Sequence, residues 1–430
     1  MDVRRMLVVG AMASMVVTVA GPAAAISATT ERVTVAGDGT QANNYNSGSA
    51  ISADGRYVTF WSWASDLVPG DTNNRSDIFV RDRRTGRTTR ISVASDGTQG
   101  NGDSAVPAIS VDGRYVAFDS NASNLVSGDT NGTADIFVRD RWANTTTRVS
   151  VAGDGGQANR ESFSPAISAS GRYVVFWSYA SNLVPGDTNG LPDIFVRDRL
   201  TGATTRVNVA TDGAQANGFS FSPAISADGR YVTYDSGASS LVPGDTNNVD
   251  DVFVRDRQTG TTTRVSVGGD GAQGNGPSRG AAISADGRYV TFGSEASNLV
   301  SGDTNDVGDV FVRDQRAGTI SRVSVAGDGT QANSFSGQPS ISADGRYVAF
   351  WSFASSLVPG DTNNEVDVFR RDRWAGATTR VSVGDDGAQG DRGSYYPAIS
   401  ADGRDISFTS DATNLVPGDT NNDGDVFVRG

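Results

Sequence analysis

I-S-A-D-G-R-Y-V, Ile51 to Val58, decides how this chain is read. Near-copies begin at Ile109, Ile167, Ile225, Ile283, Ile341 and Ile399, each 58 residues after the last. Seven units of 58 make 406 residues, the span from Ala25 to Gly430. Length alone would suggest two or three domains. A fixed period of this size overrides that expectation and leaves room for neither a linker nor a second domain within the span.

Each unit reads as four short strands. The first is brief and follows a proline in most copies, as in Pro165-Ala166-Ile167-Ser168. Asp54-Gly55 is a tight-turn signal, and Arg56 to Ser62 is a β-branched and aromatic second strand. Asp77 to Arg81 is the third and Thr88 to Val93 the fourth. Between these two, Gly86 becomes Asn144 in the next copy and returns as Gly at 202, 260, 318 and 376. Glycine and asparagine share a tolerance of positive φ, so the exchange marks a left-handed turn position. Four strands in each of seven units give an all-β, seven-bladed β-propeller, 26–430, as a single domain. The last unit ends on its third strand, Asp425 to Arg429, while Glu31-Arg32-Val33-Thr34-Val35 precedes the first unit and matches T-T-R-V-S-V. This N-terminal strand is expected to complete blade seven and cover its open edge.

The first 25 residues differ. Arg4-Arg5 precedes an apolar run from Met6 to Ala20 and then Gly21-Pro22-Ala23-Ala24-Ala25. This is the pattern of a signal peptide cleaved after Ala25, and the run is short of the ~20 residues a spanning helix needs. The protein is expected to be secreted or extracytoplasmic, with no membrane span in the mature chain. There is no cysteine, so disulfides cannot contribute. The formal charge is −13 and every one of the 36 basic residues is arginine. An acidic chain without a basic stripe is not a nucleic-acid binder.

P-x-I-S-A-D-G-R-Y-V-A-F, then D-V-F-V-R-D, then a glycine turn, resembles the TolB-like, WD40-like (PD40) propeller repeats. The resemblance spans the mature chain and implies the propeller fold. It implies no single function, since such propellers serve as binding platforms and as domains of peptidases and lyases. The 58-residue unit exceeds the roughly 40–45 residues of a WD40 blade. The surplus lies in the second-to-third strand connection and in the passage to the next blade. Both emerge on one face, and loops on a rigid scaffold are where function tends to sit.

Absent residue types remove several chemistries. Without histidine there is no Ser-His-Asp triad, without cysteine no thiol nucleophile, and without lysine no P-loop or Schiff base. Glu161, Glu295 and Glu365 occur inside the ring but do not recur between copies, so no glycosidase-like carboxylate pair stands out. A recurrent Asp-x-Asn-x-x-x-Asp loop is the candidate calcium feature. Its members are Asp71/Asn73/Asp77, Asp129/Asn131/Asp135, Asp187/Asn189/Asp193, Asp245/Asn247/Asp251, Asp303/Asn305/Asp309, Asp361/Asn363/Asp367 and Asp419/Asn421/Asp425. It is shorter than the FG-GAP loop it resembles, and only the seventh copy regains an extra acid, Asp423. The competing reading is an Asx-turn that hands the chain to the third strand.

Positions that differ between copies are the second signal. After the second strand stand Trp61/Trp63, Asp119/Asn121, Trp177/Tyr179, Asp235/Gly237, Gly293/Glu295, Trp351/Phe353 and Thr409/Asp411. The aromatic pairs Trp61, Trp63, Trp177, Tyr179, Trp351 and Phe353 are candidate ligand contacts, since such rings stack on sugars and peptides. They could equally fill gaps between blades. The Arg81-Asp82-Arg83 turn reads as a solvated or intra-blade ion-pair set on the tight face. The sequence therefore points to an exported, monomeric, non-enzymatic binding or scaffold propeller. A protein or glycan ligand would sit on its long-loop face, with calcium as a candidate stabiliser. A carboxylate-based polysaccharide-active enzyme and a purely structural surface protein are the alternatives.

Overall fold

The computed structural model describes residues 28–430, so the proposed signal peptide and its cleavage site lie outside the described residues. Seven four-stranded antiparallel sheets follow one another around a ring. Blade one comprises Asn46–Ile51, Tyr57–Ser62, Asp77–Asp82 and Arg87–Arg90, and the later blades repeat this order. First strands of neighbouring blades touch one another, which places them innermost. The seventh sheet takes Ser394–Ile399, Ile406–Ser410 and Asp425–Arg429 from the C-terminal end and Thr30–Arg32 from the N-terminal end. Thr30 pairs with Arg429 and Arg32 with Phe427. The expected closure is present, with the ladder at Thr30–Arg32 rather than over Glu31 to Val35. Val33 continues it through one bond to Val426 O (2.9 Å), and Val35 turns away to bridge Gln41.

The cores lie between blades. Ile78, Val80 and Ile91 of blade one pack with Val116, Phe118, Leu125 and Phe137 of blade two, and equivalent clusters recur around the ring. Within a blade, cross-strand phenylalanines such as Phe60 and Phe79 stack 5.9 Å apart. Neither face of a blade could be buried by that blade alone.

Two boundaries differ from the sequence reading. The innermost strand is longer than expected and begins before its proline, as in Ser162–Ile167. It accommodates the proline because its inner edge carries no ladder, and every copy bulges just there. The outermost strand stops at Arg90 rather than Val93, because Ser92 leaves the sheet to bond the Asp77 carboxylate. The left-handed turn position is as expected, with φ of 68° at Gly86 and 55° at Asn144.

The tight-turn face is closely stitched. Ala53 N donates to Val111 O, Val111 N to Ala169 O, and so on through Ala227, Ala285, Ala343 and Ala401, whose N–H returns to Ala53 O. These bonds of 3.0–3.2 Å join the seven turns, six of them Asp-Gly and the third Ser170-Gly171, in a closed circle. The Arg-Asp-Arg turn is less solvated than its composition suggests. Asp82 pairs with Arg56 (2.6 Å), and Arg81 is buried, with its guanidinium on Gly86 O. Arg141 reaches back to cover the Tyr57 ring of the preceding blade at 4.4 Å. At the seam Asp405 stands where other blades have tyrosine, and Arg83 meets it at 2.8 Å together with Glu31 at 3.0 Å.

Candidate functional site

The second-to-third strand loop is not a free surface loop. Its Leu67 is buried in the core between blades seven and one. Further on, Asp71 Oδ1 and Asp77 Oδ2 converge on Arg90 Nη1 at 3.1 and 3.4 Å. Gln99 Nε2 donates to Asp71 Oδ1 at 2.7 Å. Asn73 Oδ1 accepts from Arg75 N (2.9 Å), an Asx-turn, while its Nδ2 donates to Asp77 Oδ2 (3.1 Å) and Gly100 O (2.9 Å).

The other six loops are built the same way. Arg148 joins Asp129 to Asp135, Arg206 joins Asp187 to Asp193, and Arg264 joins Asp245 to Asp251. Arg322 joins Asp303 to Asp309, Arg380 joins Asp361 to Asp367 and, across the seam, Arg32 joins Asp419 to Asp425. The amides of Asn131, Asn189, Asn247, Asn305 and Asn363 donate to the last aspartate of their own loops, at 2.9–3.4 Å. Asn421 differs, with its amide on Ala42 O at 2.9 Å, and its Oδ1 accepts from Asp423 N at 3.1 Å. Burial raises the Asp71 carboxyl above its usual range, and Arg90 and Gln99 oppose that. Burial likewise pushes Asp367 and Asp425 up to about 6 against the pull of their serine or threonine and arginine partners.

As arranged, the side-chain oxygens of all seven loops are turned toward the protein's own donors. In Asp71/Asn73/Asp77, Asp129/Asn131/Asp135, Asp187/Asn189/Asp193, Asp245/Asn247/Asp251, Asp303/Asn305/Asp309, Asp361/Asn363/Asp367 and Asp419/Asn421/Asp425, two carboxylates already share a guanidinium. The asparagine spends its side-chain oxygen on an Asx-turn where that bond forms, and presents an amide N–H where a metal needs oxygen. Among the described residues no group of three or more acidic, histidine or cysteine side chains is placed to hold a metal ion. In the seventh loop the Asp423 N–H closes the turn on Asn421, and its carboxylate joins no such group. Arg90 and Gln99 were not singled out in the sequence. The signal was the arginine of T-T-R recurring from copy to copy.

The variable positions stand at the long-loop ends of the first and second strands of each blade. The aromatic pairs divide into two kinds. Trp61, Trp177 and Trp351 are half-buried and pack against the cores between blades. The Trp177 ring meets Phe221 of the next blade edge-on at 5.1 Å. Trp63 and Phe353 are 40% and 51% exposed, while Tyr179 is half-buried beneath Arg160, 5.0 Å from its ring. The six residues lie in blades one, three and six and do not form one cluster.

Where blades one, three and six carry tryptophan, blades two and four carry Asp119 and Asp235. Each reaches the next blade's bulge: Asp119 Oδ2 accepts from Ser164 N (3.1 Å) and Asp235 Oδ2 from Gly280 N (2.9 Å). Burial pushes both carboxyls up to about 7, with these N–H groups pulling the other way. Every other buried aspartate among the described residues has an arginine within 4 Å, and these two have none.

No protein-family model and no curated protein matches the chain. Solved structures do. The β-propeller domain of the trilobed protease from Pyrococcus furiosus is similar at a TM-score of 0.55 and 14% identity, over 91% of this chain and 94% of that one. An oligogalacturonate lyase in complex with manganese is similar at 0.53 and 12% identity, over 90% and 89%. The shared feature is the fold. TolB and other β-propeller proteins are its structural neighbours. TolB from Acinetobacter baumannii matches at 0.42 and 15% identity, over 78% of this chain, which spans 63% of that protein's length. That likeness is too loose to bear on function.

Proposed function

We propose that the chain is a non-enzymatic binding propeller that docks a protein or glycan ligand on its long-loop face. The observation that carries this reading is a set of exposed aromatics on the long-loop side of three blades, Trp63, Phe353 and the 54% exposed Phe219, on a frame most of whose positions recur from blade to blade. A scaffold that needed only to stand up would repeat these positions too. The tight face has its own large exposed side chains, but Trp142 and Trp374 there lie against Arg114 and Arg346, at 5.0 and 5.1 Å. The arginine-clamped loops hold the long-loop face rigid, and calcium enters this reading only as a competitor for the same oxygens. The N-terminal segment supports export, with the mature protein acting as a monomer outside the cytoplasm; among the described residues no helix is long and apolar enough to cross a membrane.

The test is a glycan and protein array probed with the mature chain and with a Trp63→Ala, Phe353→Ala double variant. Loss of retention with an unchanged melt is expected. Equal retention by both proteins refutes the reading. A second reading, a carboxylate-based polysaccharide-active enzyme, is favoured by one observation: Asp235 and Glu295 line the same cavity. Turnover of an array glycan, rather than its retention, selects it.

A further inference from the structure

The geometry points to the gap between blades four, five and six as a binding pocket for a small organic cation, an alkylammonium or guanidinium group. The inference rests on the docking face proposed above and names the chemical group that face receives.

Broken symmetry makes the pocket. Gly293 occupies the position that is tryptophan in blades one, three and six. Gly337 stands where blades three and four have phenylalanine, and Gly280 where blade two has Val106 and blade seven Tyr396. These three glycines from two adjacent blades line one cavity of about 390 Å³. That volume falls in the range of small-ligand sites.

Its walls are built for positive charge. Asp235 and Glu295 supply two carboxylates, and Phe335 and Trp351 supply two aromatic faces. The rings lie 5.4 Å apart, and Trp351 Nε1 donates to Gln338 Oε1 at 2.9 Å, which fixes the indole. Aromatic faces attract cations. Arg279 is the one cation in the lining, and it is already committed, with Nε on Asp250 Oδ2 at 2.6 Å. Asp235 Oδ1 has no hydrogen-bond partner. The Ser222 hydroxyl stands close enough to pull the Asp235 proton affinity down but closes no bond of ordinary geometry on that oxygen. In a chain that gives an arginine to nearly every buried aspartate, Asp235 lacks its counter-charge and lines an open cavity. At 4% exposed it admits a slender group rather than a ring. Asp119, the other unpaired aspartate, does not line this cavity.

The experiment titrates the mature chain with n-butylammonium and butylguanidinium by calorimetry at pH 8 and low salt, with butanol and glucose as neutral probes. Saturable binding of the cations, at least tenfold tighter than either neutral probe, is expected. Asp235→Asn should weaken it at least tenfold, and Gly293→Trp, which restores the side chain of other blades, should abolish it. If Gly293→Trp fails to fold, Glu295→Gln reads the same site and should weaken binding several-fold. No heat with either cation, equal binding of a neutral probe, or binding indifferent to Asp235→Asn overturns the inference. A capped Gly-Lys-Gly peptide that binds more than tenfold tighter than butylammonium assigns the cation to a protein partner, and equal affinity assigns it to a free amine. A partner retained through Trp63 and Phe353 but not displaced by butylammonium overturns this pocket and leaves the docking face standing. Cation binding with no partner retained does the reverse.

Discussion

Replacing Arg148 with methionine tests whether arginine holds the long loops. Its guanidinium lies 3.0 Å from Asp129 and 3.2 Å from Asp135, and the Asp135 side chain is fully buried. Methionine keeps much of the length and removes the charge, leaving two carboxylates facing each other. Breaking a buried pair by removing one partner costs about 3–5 kcal/mol, because an uncompensated charge remains. Asp129 sits in a loop and can relax, so the lower end, about 3 kcal/mol, is expected. A chain of roughly 400 residues unfolds with an entropy of about 0.85 kcal/mol per kelvin, so the melt should fall by about 4 °C. Differential scanning calorimetry at pH 7 reads this directly. The deficit should shrink as pH falls, since burial raises the Asp129 carboxyl above its usual range, and Arg148→Lys should lie between variant and parent, since ammonium keeps charge but loses the fork. With the guanidinium gone, 5 mM calcium should raise the melt of Arg148→Met and leave the parent unchanged. A variant that melts within about 1 °C of the parent at pH 7, or a parent that gains as much from calcium as the variant, refutes the clamp.

Other outcomes follow from the same contacts. Deleting Thr29 to Val35 strips blade seven of its outer strand and of the Thr34 bond to Asp425 (2.5 Å), so the melting temperature should drop sharply; an unchanged melt would show that the ring does not depend on this closure. Gly113→Ala should destabilise by more than the about 1 kcal/mol of ordinary backbone effects, because φ is 71° and the new Cβ would lie 2.2 Å from the Tyr57 ring; pairing it with Tyr57→Ala should recover part of the loss in chemical denaturation. Trp61→Ala and Trp177→Ala should each cost about 2–4 kcal/mol, since these rings pack between blades, whereas Trp63→Ala should leave the melt within about 0.5 kcal/mol. Asp119 and Asp235 have folded carboxyls near pH 7 against an unfolded value near 3.8. Their contribution is therefore full below about pH 4 and is lost as pH rises through 7. Asp119→Asn with Asp235→Asn should flatten that loss in melts taken from pH 4 to 8, and an unchanged slope would assign the loss to other groups.

The blade count, the strand order and the ring closure were legible because they depend on what recurs. Ile51 and its six successors set the period, Gly86 and Asn144 marked the turn, and the arginine of Glu31-Arg32-Val33 matched those of T-T-R. What could not be read was which polar groups meet. Arg90 is 13 residues from Asp77 in sequence, and Gln99 is 28 from Asp71, so nothing in the local pattern of the Asp-x-Asn loop announces that its cation is already inside the protein. The aromatic pairs were ambiguous for a related reason. Adjacent residues on a strand face opposite ways, and two residues apart they share a face only while the strand lasts. Trp61 still lies on the second strand, which ends at Ser62, and packs between blades; Trp63 lies just beyond it and stands in solvent. Of the glycines that line the gap, only Gly293 stood among the variable positions, and only the ring brings Gly280, Gly293 and Gly337 together.

The absence of lysine has a physical reading in this frame. Arginine recurs at four positions of the unit, represented by Arg56, Arg81, Arg83 and Arg90, with seven, seven, five and seven copies, 26 of the 36 basic residues. Two of the four, those of Arg56 and Arg83, use something an ammonium lacks. Arg56 grips Asp82 with two nitrogens, Nε at 2.9 Å and Nη2 at 2.6 Å. Arg81 Nη1 serves three acceptors at once, Ala36 O, Gly86 O and Thr88 Oγ1. Arg141, at the third position, lies flat over Tyr57, and Arg90 bridges two carboxylates. Planar, multidentate and permanently charged groups are what a repeated architecture needs where blades meet without disulfides. The places where this rule lapses then carry the information. Gln315 replaces the stacking arginine in blade five, Asp405 replaces the tyrosine at the seam, and Asp119 and Asp235 stand without a cation. The seam explains one lapse, since Arg83 still finds Asp405. Asp235 has no such internal answer, and it lines the gap that the ring's missing side chains leave open.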